Sequence, residues 1–575
     1  MNKNKISKPV FLVLLLLLIP SVLALLKPGY YNMHDDMQMI RQLQLEKCLK
    51  DGQIPCRWSP DLGYEYGYPL FNFYPPLPYI VGQIYRFLGF SFMWSVKLTA
   101  VSQFIASGIA MYLFVSYLST PLVGFLASLF YTYAPYHAVN IYIRGAMNEA
   151  WASIFFPLIF LYIKKVIDQP KIKNTILLSL SIVGLMLSHN PMLLVFALFC
   201  IPWTFYCLFQ KYKKNKKIAD IKPALKNLVI SAIFALGLAA FYTLPVLLES
   251  KLTQIDSMFS GYYSYEVHFV SLYQLFISNF WGDGASVWGT QDNMPFMVGY
   301  LHWIIPFIFV IYFLYKHIHT KTKIKKTEIF NLLIIFLALA SLFLTHGRSI
   351  FIWKLFPPIQ KIQFSWRFLN LSVFFLSISS ALSIKYFLSN FKQNKTKNLF
   401  CLLLVFLLFT LNLRYFKPIT SGPLTDEQKF SGLAWQNQTT SGIYDYLPIT
   451  ASTAAKSKAN FVVDSVHPEA SAHIYGQKKG TDWLFFNANV FSDSKITLAQ
   501  LYFPNFKIYN YGQPIDFIIE PELGRMVLNL TPGNYQIYAK LANTPIRSIT
   551  NFISLFSWTL LIFIGIYAAK RNRNH

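Results

Sequence analysis

The chain has 575 residues, of which 54% are hydrophobic and only 13% are charged. Soluble domains carry about 25% charged residues, so this composition excludes an ordinary soluble enzyme. The net charge is +26, but the basic residues form short clusters between long apolar runs, which excludes a nucleic-acid-binding protein with a continuous basic face. The composition also excludes disorder and a disulfide scaffold. With 18% aromatic residues, the chain is predicted to be a polytopic membrane protein.

A spanning helix needs about 20 predominantly apolar residues, and the chain contains about twelve candidate runs. In chain order they are Val10–Leu26, Ser95–Leu118, Pro121–His137, Ala150–Ile163, Thr175–Leu187, Pro191–Phe209, Leu228–Leu248, Phe296–Tyr315, Phe330–Leu344, Phe368–Phe387, Leu399–Leu413 and Ile549–Ala569. The lysine clusters between them fall on the cytoplasmic side if both termini are cytoplasmic. This topology requires Leu77–Leu88 to be an interfacial helix on the outer surface, because Gln83 and Arg86 interrupt its apolar face.

The two ends of the chain carry basic residues that are expected to stay in the cytoplasm. They are Lys3, Lys5 and Lys8 at the start, and Lys570, Arg571 and Arg573 at the end. The first apolar run has a second interpretation, a signal peptide, because Val22-Leu23-Ala24 loosely resembles a cleavage site. Its long leucine-rich core favours an uncleaved span.

Three segments follow from this pattern. Residues 1–415 form a transmembrane module whose first external loop is 27–94, and residues 549–575 form a last transmembrane helix with a cytoplasmic tail. Residues 416–548 instead contain short β-branched and aromatic runs, such as Phe461-Val462-Val463 and Trp483-Leu484-Phe485-Phe486, punctuated by Gly and Pro. This is the pattern of a small all-β unit, predicted to be an extracytoplasmic β-sandwich.

The five cysteines separate into two groups. Cys200, Cys207 and Cys401 lie in predicted spans, where a buried thiol is the ordinary interpretation. Cys48 and Cys56 share the first external loop, where a disulfide is feasible, but the spacing alone leaves open whether it forms.

The first external loop holds the strongest candidates for chemistry. His34, Asp35 and Asp36 follow the first span closely, and adjacent carboxylates at the mouth of a helix bundle are costly if they only face lipid. Together they can separate their pKa values or hold a divalent cation such as Mg²⁺ or Mn²⁺. The alternative is that the two aspartates merely cap the helix that begins there. Capping does not explain the aromatic and proline-rich stretch from Tyr64 to Pro76.

Further polar residues fall at the other predicted outer ends of spans. They are Arg144, Glu149, His189, Asn190, Arg348 and Arg367. Arginine on the outer side opposes the usual bias, and guanidinium groups suit phosphate because they offer forked donors. For each arginine alone, snorkelling to lipid headgroups is the simpler interpretation, and His189 equally suits a satisfied polar position in a helix break. Several of them on one face favour a phosphate-bearing lipid ligand.

These motifs resemble the membrane-protein family labelled 6-pyruvoyl-tetrahydropterin synthase-related. The resemblance rests on His34-Asp35-Asp36, Gly52-Gln53-Ile54-Pro55, Arg57-Trp58, Asp61, Gly67-Tyr68-Pro69-Leu70-Phe71, Tyr74-Pro75-Pro76, Arg144 with Glu149, Ser188-His189-Asn190, Gln363-Phe364-Ser365-Trp366-Arg367 and Tyr446-Leu447-Pro448. Ser365 stands where the family usually has proline. The predicted spans lack the His-rich zinc site that a soluble pterin synthase needs. A wider likeness to C-type (GT-C) glycosyltransferases places Asp35 at the position of their catalytic acid.

The resemblance therefore implies an integral membrane glycosyltransferase of the cell envelope. It would transfer a sugar from a polyprenyl-phosphate donor to an extracytoplasmic glycan, lipid or protein acceptor, with inversion. Asp35 would be the general base, with Asp36 and Glu149 as further acids and Asp35 and Asp36 as tentative metal ligands. The predicted substrate-binding residues are His34, Arg57, Trp58, Asp61, Arg144, His189, Asn190, Arg348 and Arg367.

Two other functions stay open at this stage. The first is a transporter or flippase of lipid-linked envelope precursors, although transporters usually place charges at mid-membrane and show two related halves. The second is a structural envelope protein with a vestigial site.

Overall fold

The structure, a computed structural model, describes residues 8–289, 291–320 and 322–573, with side chains to Ile566. The prediction of cytoplasmic termini relies on basic residues at the two ends of the chain. Outside the described part lie Lys3, Lys5 and the side chains of Lys570, Arg571 and Arg573. The chain divides into two compact units. Unit 1 comprises Met1–Asp36, Lys97–Ala235 and Gly261–Pro423, and unit 2 comprises Met37–Val96, Leu236–Ser260 and Leu424–His575.

Nine helices in the described part of the chain are long and apolar enough to cross a membrane. They are Phe92–Leu118, Met147–Asp168, Asn190–Asn215, Ile218–Leu252, Tyr300–Thr320, Lys326–Thr345, Ser365–Leu388, Asn394–Tyr415 and Pro545–Ile566. Three shorter apolar helices, Lys8–Ser21, Pro121–Thr132 and Ile172–Met186, coincide with three more of the predicted runs. The prediction of a mainly α, membrane-embedded chain with a β-rich part near the C-terminus is confirmed.

The α-helices are α1 (Lys8–Leu18), α2 (Gln38–Lys50), α3 (Leu70–Phe73), α4 (Leu77–Phe87), α5 (Phe92–Leu118), α6 (Pro121–Thr132), α7 (Pro135–Ala138), α8 (Met147–Asp168), α9 (Ile172–Met186), α10 (Asn190–Asn215), α11 (Lys222–Glu249), α12 (Leu272–Phe276), α13 (Tyr300–Thr320), α14 (Lys326–Thr345), α15 (Ile350–Leu355), α16 (Leu369–Leu388), α17 (Asn394–Asn412), α18 (Asp426–Lys429), α19 (Gly432–Thr440) and α20 (Pro545–Arg573).

Unit 1 is built around α16, which packs against α6, α13 and α14. Almost the whole of α16 is buried, so its serines turn inward and donate to main-chain carbonyls of the preceding turn, as Ser372 and Ser377 do. Aromatic rings fill the surrounding core; Phe160 stacks on Trp203 with ring centroids 4.8 Å apart. Such pairs add about 0.5–1.5 kcal/mol beyond the burial of their area.

Unit 1 also contains a pair of short strands. β1 (Tyr30–Tyr31) pairs antiparallel with β2 (Ser421–Gly422), so the segment that leads to the predicted acids is fixed to a part of the chain almost 400 positions away. The two strands together form a two-stranded sheet.

Unit 2 contains two antiparallel sheets. Their strands are β3 (Val463–His467), β4 (Ala472–Lys479), β5 (Trp483–Val490), β6 (Ser494–Leu501), β7 (Phe506–Asn510), β8 (Gln513–Pro514), β9 (Ile518–Ile519), β10 (Arg525–Leu530) and β11 (Gly533–Leu541). One sheet has the order β3-β6-β10-β9 and the other β4-β5-β11-β7-β8. In β5 every second residue is buried, the alternation of a strand with one face on a core. The prediction of a β-rich part near the C-terminus is confirmed, although the predicted segment 416–548 also contains the short helices α18 and α19 before its first long strand.

Helix α4 packs against α2 within unit 2. Gln83 accepts a hydrogen bond from Gln42 (3.0 Å), and Arg86 Nε lies 2.6 Å from Glu46 Oε2. The polar residues that interrupt the apolar face of α4 therefore face a protein neighbour, while Phe87 is 76% exposed. That pattern suits the predicted interfacial helix, whose position at a membrane stays a prediction.

Unit 2 also holds the cysteine pair whose bonding the spacing left open. Cys48 and Cys56 form a disulfide in the structure. It ties the end of α2 to the loop that carries Arg57 and Trp58.

Candidate active site

The segment around Asp35 is held by its main chain. The His34 N–H donates to the Ile143 carbonyl (3.0 Å), and the Asp35 N–H donates to the Arg144 carbonyl (2.8 Å). Because both donors are backbone groups, their bonds do not depend on the side chains at positions 34 and 35. The backbone thus brings Asp35 beside Arg144.

Gly145 makes this close approach feasible. Its φ is +64°, and a Cβ atom there would lie 2.3 Å from Sδ and 3.0 Å from Cβ of Met33. Left-handed backbone is readily adopted by glycine and costs other residues roughly 1–2 kcal/mol. The turn that follows Arg144 therefore needs glycine for both its conformation and its space.

Glu149 is the centre of a buried charged cluster. It lies in the first turn of α8, where the helix dipole favours an acid, and it is 1% exposed. Its Oε2 lies 3.0 Å from Arg144 Nη2 and 3.1 Å from Arg367 Nε. Its Oε1 accepts from Asn370 Nδ2 at 2.7 Å and from the Tyr136 hydroxyl at 3.3 Å. Both carboxylate oxygens are therefore occupied by donors of unit 1.

Arg367 is fixed from a second side. It lies in the 3₁₀ turn Ser365–Phe368 that leads into α16. Its Nη1 donates to the Ile362 carbonyl (2.6 Å) and to Gln363 Oε1 (2.9 Å). Gln363 has a φ of +69°, and such left-handed residues, costly for a side chain other than glycine, concentrate at functional sites.

Arg144 is stacked as well as paired. Its guanidinium lies over the Trp366 ring, 4.2 Å from the ring centroid, and its Nη1 donates to Asn140 Oδ1 (2.6 Å). The Trp366 indole in turn donates to the Ser286 hydroxyl (2.7 Å). Stacking on Trp366 and pairing with Glu149 together fix the orientation of the Arg144 guanidinium.

The cluster carries an excess of positive charge. Two buried arginines share the single carboxylate of Glu149. Burial opposes the charge on Arg144, but the carboxylate of Glu149 and, less strongly, that of Asp35 raise its pKa above the ordinary value. Arg144 is therefore a permanent cation that interacts with Asp35.

His34 and Asp36, the chain neighbours of Asp35, also belong to unit 1. The His34 ring Nε2 is hydrogen-bonded to the Asp283 carbonyl. Burial raises the pKa of the Tyr31 hydroxyl, and the nearby Asp36 carboxylate raises it further. Asp36 thus interacts electrostatically with Tyr31.

His189 and Asn190 begin α10. The His189 Nδ1 accepts from the Met192 N–H (3.2 Å) and caps the helix. Burial, assisted by the Arg367 cation, lowers the pKa of His189 to about 3, so the ring is neutral at physiological pH. These contacts favour one of the two interpretations that the sequence left open, in which His189 is a hydrogen-bonded polar residue at a helix break.

Arg348 is not brought to the cluster. It is exposed, and its main-chain N–H donates to the His346 ring (3.2 Å). Within the described part of the chain its guanidinium makes no ion pair with Glu149, unlike Arg144 and Arg367.

Arg57, Trp58 and Asp61 belong to unit 2. Arg57 donates to Asn72 Oδ1 (2.7 Å) and to Asn551 Oδ1 (2.8 Å). Trp58 is fully buried and packs edge-on against Phe506, so both residues make contacts typical of a structural core. Asp61 lies in a pocket of unit 2.

The tentative cation site at Asp35 and Asp36 has few donors. Among the residues that the structure describes, no group of three or more His, Cys, Asp or Glu side chains is placed to hold a metal ion. Mg²⁺ is commonly bound by one or two carboxylates together with substrate phosphates and water, so a cation at Asp35 and Asp36 stays a prediction.

Three members of the cluster were not among the predicted site residues. Tyr136, Asn140 and Asn370 contact Glu149, Arg144 or one another. Asn370 lies three positions after Arg367, on the same side of a helix, and that spacing was an available signal. Tyr136 and Asn140 offered none, because they sit at the end of an apolar run.

The fold and the cluster define an integral membrane protein with a buried arginine–glutamate site and an associated β-rich unit. No family model matches the chain. It is similar to an uncharacterized protein of Lactococcus lactis subsp. cremoris (strain MG1363), 24% identical over 324 residues, which are 55% of this chain and 49% of that protein. The aligned part thus spans about half the length of this curated relative.

Among solved structures, the chain is similar to the Archaeoglobus fulgidus oligosaccharyltransferase tethered with an acceptor peptide that contains the NVT sequon. The sequence identity is 13% and the TM-score 0.42, over 79% of this chain and 61% of that one.

Proposed function

We propose that this protein is an integral membrane glycosyltransferase of the GT-C type. It would transfer a sugar from a polyprenyl-phosphate donor to an acceptor outside the cytoplasm, with inversion at the anomeric carbon. The observation that carries the proposal is that Asp35 is hydrogen-bonded through its main chain to Arg144, whose guanidinium shares Glu149 with Arg367. A candidate base and two cations thus lie in one unit, and the likeness of the Asp35 position to that of the catalytic acid in GT-C enzymes supports the same function.

The arginines would bind the phosphate of the donor. Their two charges are balanced by only one buried carboxylate, and forked guanidinium donors suit phosphate oxygens. As the bond between the anomeric carbon and the phosphate oxygen breaks, negative charge grows on the leaving lipid phosphate. Fixed cations lower the free energy of that transition state.

Asp35 would accept the proton. In a single displacement the acceptor hydroxyl oxygen attacks the anomeric carbon, its proton passes to the Asp35 carboxylate, and the polyprenyl phosphate leaves. Asp36 would share the work of Asp35 or orient it. General-base catalysis of this kind contributes about 10²- to 10⁴-fold.

Glu149 would position the arginines. Both of its oxygens already accept hydrogen bonds from four donors, which supports the orienting role over direct contact with the acceptor.

The direct test supplies a labelled polyprenyl-phosphate sugar to the purified protein in proteoliposomes with envelope acceptors. Label transferred to an acceptor supports the proposal. Label that crosses the bilayer without transfer would identify a flippase instead.

No step of the proposed mechanism is routed through a cation. Whether Asp35 and Asp36 hold one is tested by adding excess EDTA and measuring transfer with the same labelled donor. If they do, transfer is lost in EDTA and restored by Mn²⁺ or Mg²⁺, since Mg²⁺ is commonly bound by one or two carboxylates together with substrate phosphates. Transfer that persists in excess EDTA would show that the two aspartates act without a cation.

The proposed topology places the β-rich part of unit 2 outside the cell. In a variant without Cys200, Cys207 and Cys401, a cysteine at exposed Lys507 should react with a membrane-impermeant maleimide in intact cells. A cysteine at exposed Lys213, in a predicted cytoplasmic cluster, should react only after the cells are opened. The reverse pattern would contradict the proposed topology and support the inverted one.

Gly145→Ala should reduce transfer by at least about tenfold, because small displacements of catalytic groups are costly. The new methyl group would collide with Met33 and disturb the backbone that holds Asp35. Gly261→Ala is the matched control: its φ is +57°, but no atom lies within 4 Å of the added carbon. Equal transfer rates in the two variants would show that the contact with Met33 does not matter.

A further inference from the structure

Unit 2 contains a cavity of about 590 Å³ between the loop after α2 and the β-rich segment of the same unit. This volume lies within the range of about 300–1,000 Å³ typical of small-molecule sites. Four lysines and three carboxylates line it. The cavity is separate from the cluster in unit 1, and none of the proposed steps uses it.

Each of the three carboxylates already has a partner. Asp51 accepts from the N–H and the hydroxyl of Thr481, both at 2.6 Å. Asp61 lies 2.5 Å from Lys47 Nζ, and Glu65 pairs with another pocket lysine at 3.1 Å. Two of the three carboxylates are therefore paired with lysines, and the third is hydrogen-bonded to Thr481.

Lys479 differs from the other pocket lysines. Its ammonium donates to the main-chain carbonyls of Glu65 (3.0 Å) and Ala499 (3.5 Å). It forms no ion pair with any carboxylate of the described chain, whereas Lys47, Lys50 and Lys458 each do. An ammonium has three N–H donors, so one remains for a ligand. Burial lowers the pKa of Lys479, and an anion brought close to it would relieve that penalty.

The rim of the cavity combines polar and aromatic groups. Phe461 is 61% exposed, and it lies next to Asn460, whose amide N–H₂ donates to the Asp464 carbonyl (2.8 Å). The side-chain oxygen of Asn460 remains an acceptor. An exposed ring beside donors and acceptors suits a ligand with an apolar C–H face and several hydroxyl groups.

We propose that this cavity binds an anionic saccharide. The Lys479 ammonium would pair with a carboxylate or phosphate group of the sugar, Phe461 would stack on a sugar ring, and the remaining lysine and amide groups would bond its hydroxyls. The inference concerns ligand binding by unit 2 and does not depend on the proposed transferase activity.

Binding can be measured on the full-length protein in nanodiscs with four probes of similar size. These are tetragalacturonate, maltotetraose with a terminal phosphate, neutral maltotetraose and an acidic hexapeptide. We expect at least one anionic saccharide to bind about tenfold or more tightly than the neutral one, as a charge-assisted hydrogen bond implies. The two anionic probes distinguish a carboxylate from a phosphate ligand.

Lys479→Met should remove about tenfold or more of that affinity, because it keeps the apolar stem and deletes the charge. Lys507→Met is the control, with the same change at an exposed site on β7 of the same unit. Phe461→Ala, at a largely exposed position, should weaken all saccharides without altering thermal unfolding. Equal binding by Lys479→Met and wild type, equal binding of neutral and anionic sugars, absence of saccharide binding, or tighter binding of the peptide would each overturn the proposal.

Discussion

Asp35→Asn should abolish sugar transfer while the protein accumulates and folds normally. The amide is nearly isosteric with the carboxylate but cannot take up the acceptor proton, so we expect a loss of about 10²- to 10⁴-fold. The Asp35 N–H that donates to the Arg144 carbonyl belongs to the backbone, so the substitution leaves this anchor in place. The measurement is the rate of label transfer from a polyprenyl-phosphate sugar, with the unfolding temperature of the detergent-solubilised protein as the check on folding.

Asp168→Asn is the matched control for this experiment. Asp168→Asn makes the same chemical change in unit 1. Asp168 is the last residue of α8, whereas Glu149 lies in the first turn of that helix, so the control lies at the opposite end of α8 from the cluster. Its carboxylate pairs with Lys164, and we expect near-normal transfer. Full activity of Asp35→Asn would remove Asp35 as the base, and an equal loss in both variants would point to a general effect of charge.

Glu149→Gln should destabilise the protein as well as inactivate it. Removing the carboxylate leaves Arg144 and Arg367 as two buried cations without the anion that they share. Breaking a buried ion pair by deleting one partner typically costs about 3–5 kcal/mol. We expect lower accumulation and a clear drop in the unfolding temperature, measured by thermal denaturation in detergent.

Glu469→Gln is the control, because it makes the same chemical change at an exposed position. A second comparison adds Arg367→Met to Glu149→Gln. If the cluster is one coupled unit, the double variant loses less stability than the sum of the single losses. Normal stability of Glu149→Gln with lost transfer would contradict the positioning role and favour direct catalysis by Glu149.

The sequence predicted the helices well because each long apolar run has one low-energy state in a membrane, with every backbone group bonded inside its own segment. Runs such as Pro121–His137 correspond to helices that start within a few residues of the predicted position. Strands were harder to predict. The predicted run at Trp483 corresponds to β5, but β4, β6, β7 and β10 were missed because polar and apolar residues are mixed along them.

For the candidate site, the sequence by itself predicted which residue types stand in unusual places: acids after the first predicted span, and arginines at predicted outer ends of spans, where lysine and arginine are normally depleted. Only the tertiary structure decided which of them meet. It joined Arg144, Glu149 and Arg367 into one cluster, left Arg348 exposed, and placed Arg57, Trp58 and Asp61 in the other unit. The physical reason is that the contact between Glu149 and Arg367 joins residues 218 positions apart, and local patterns of hydrophobicity contain no information on which distant residues meet.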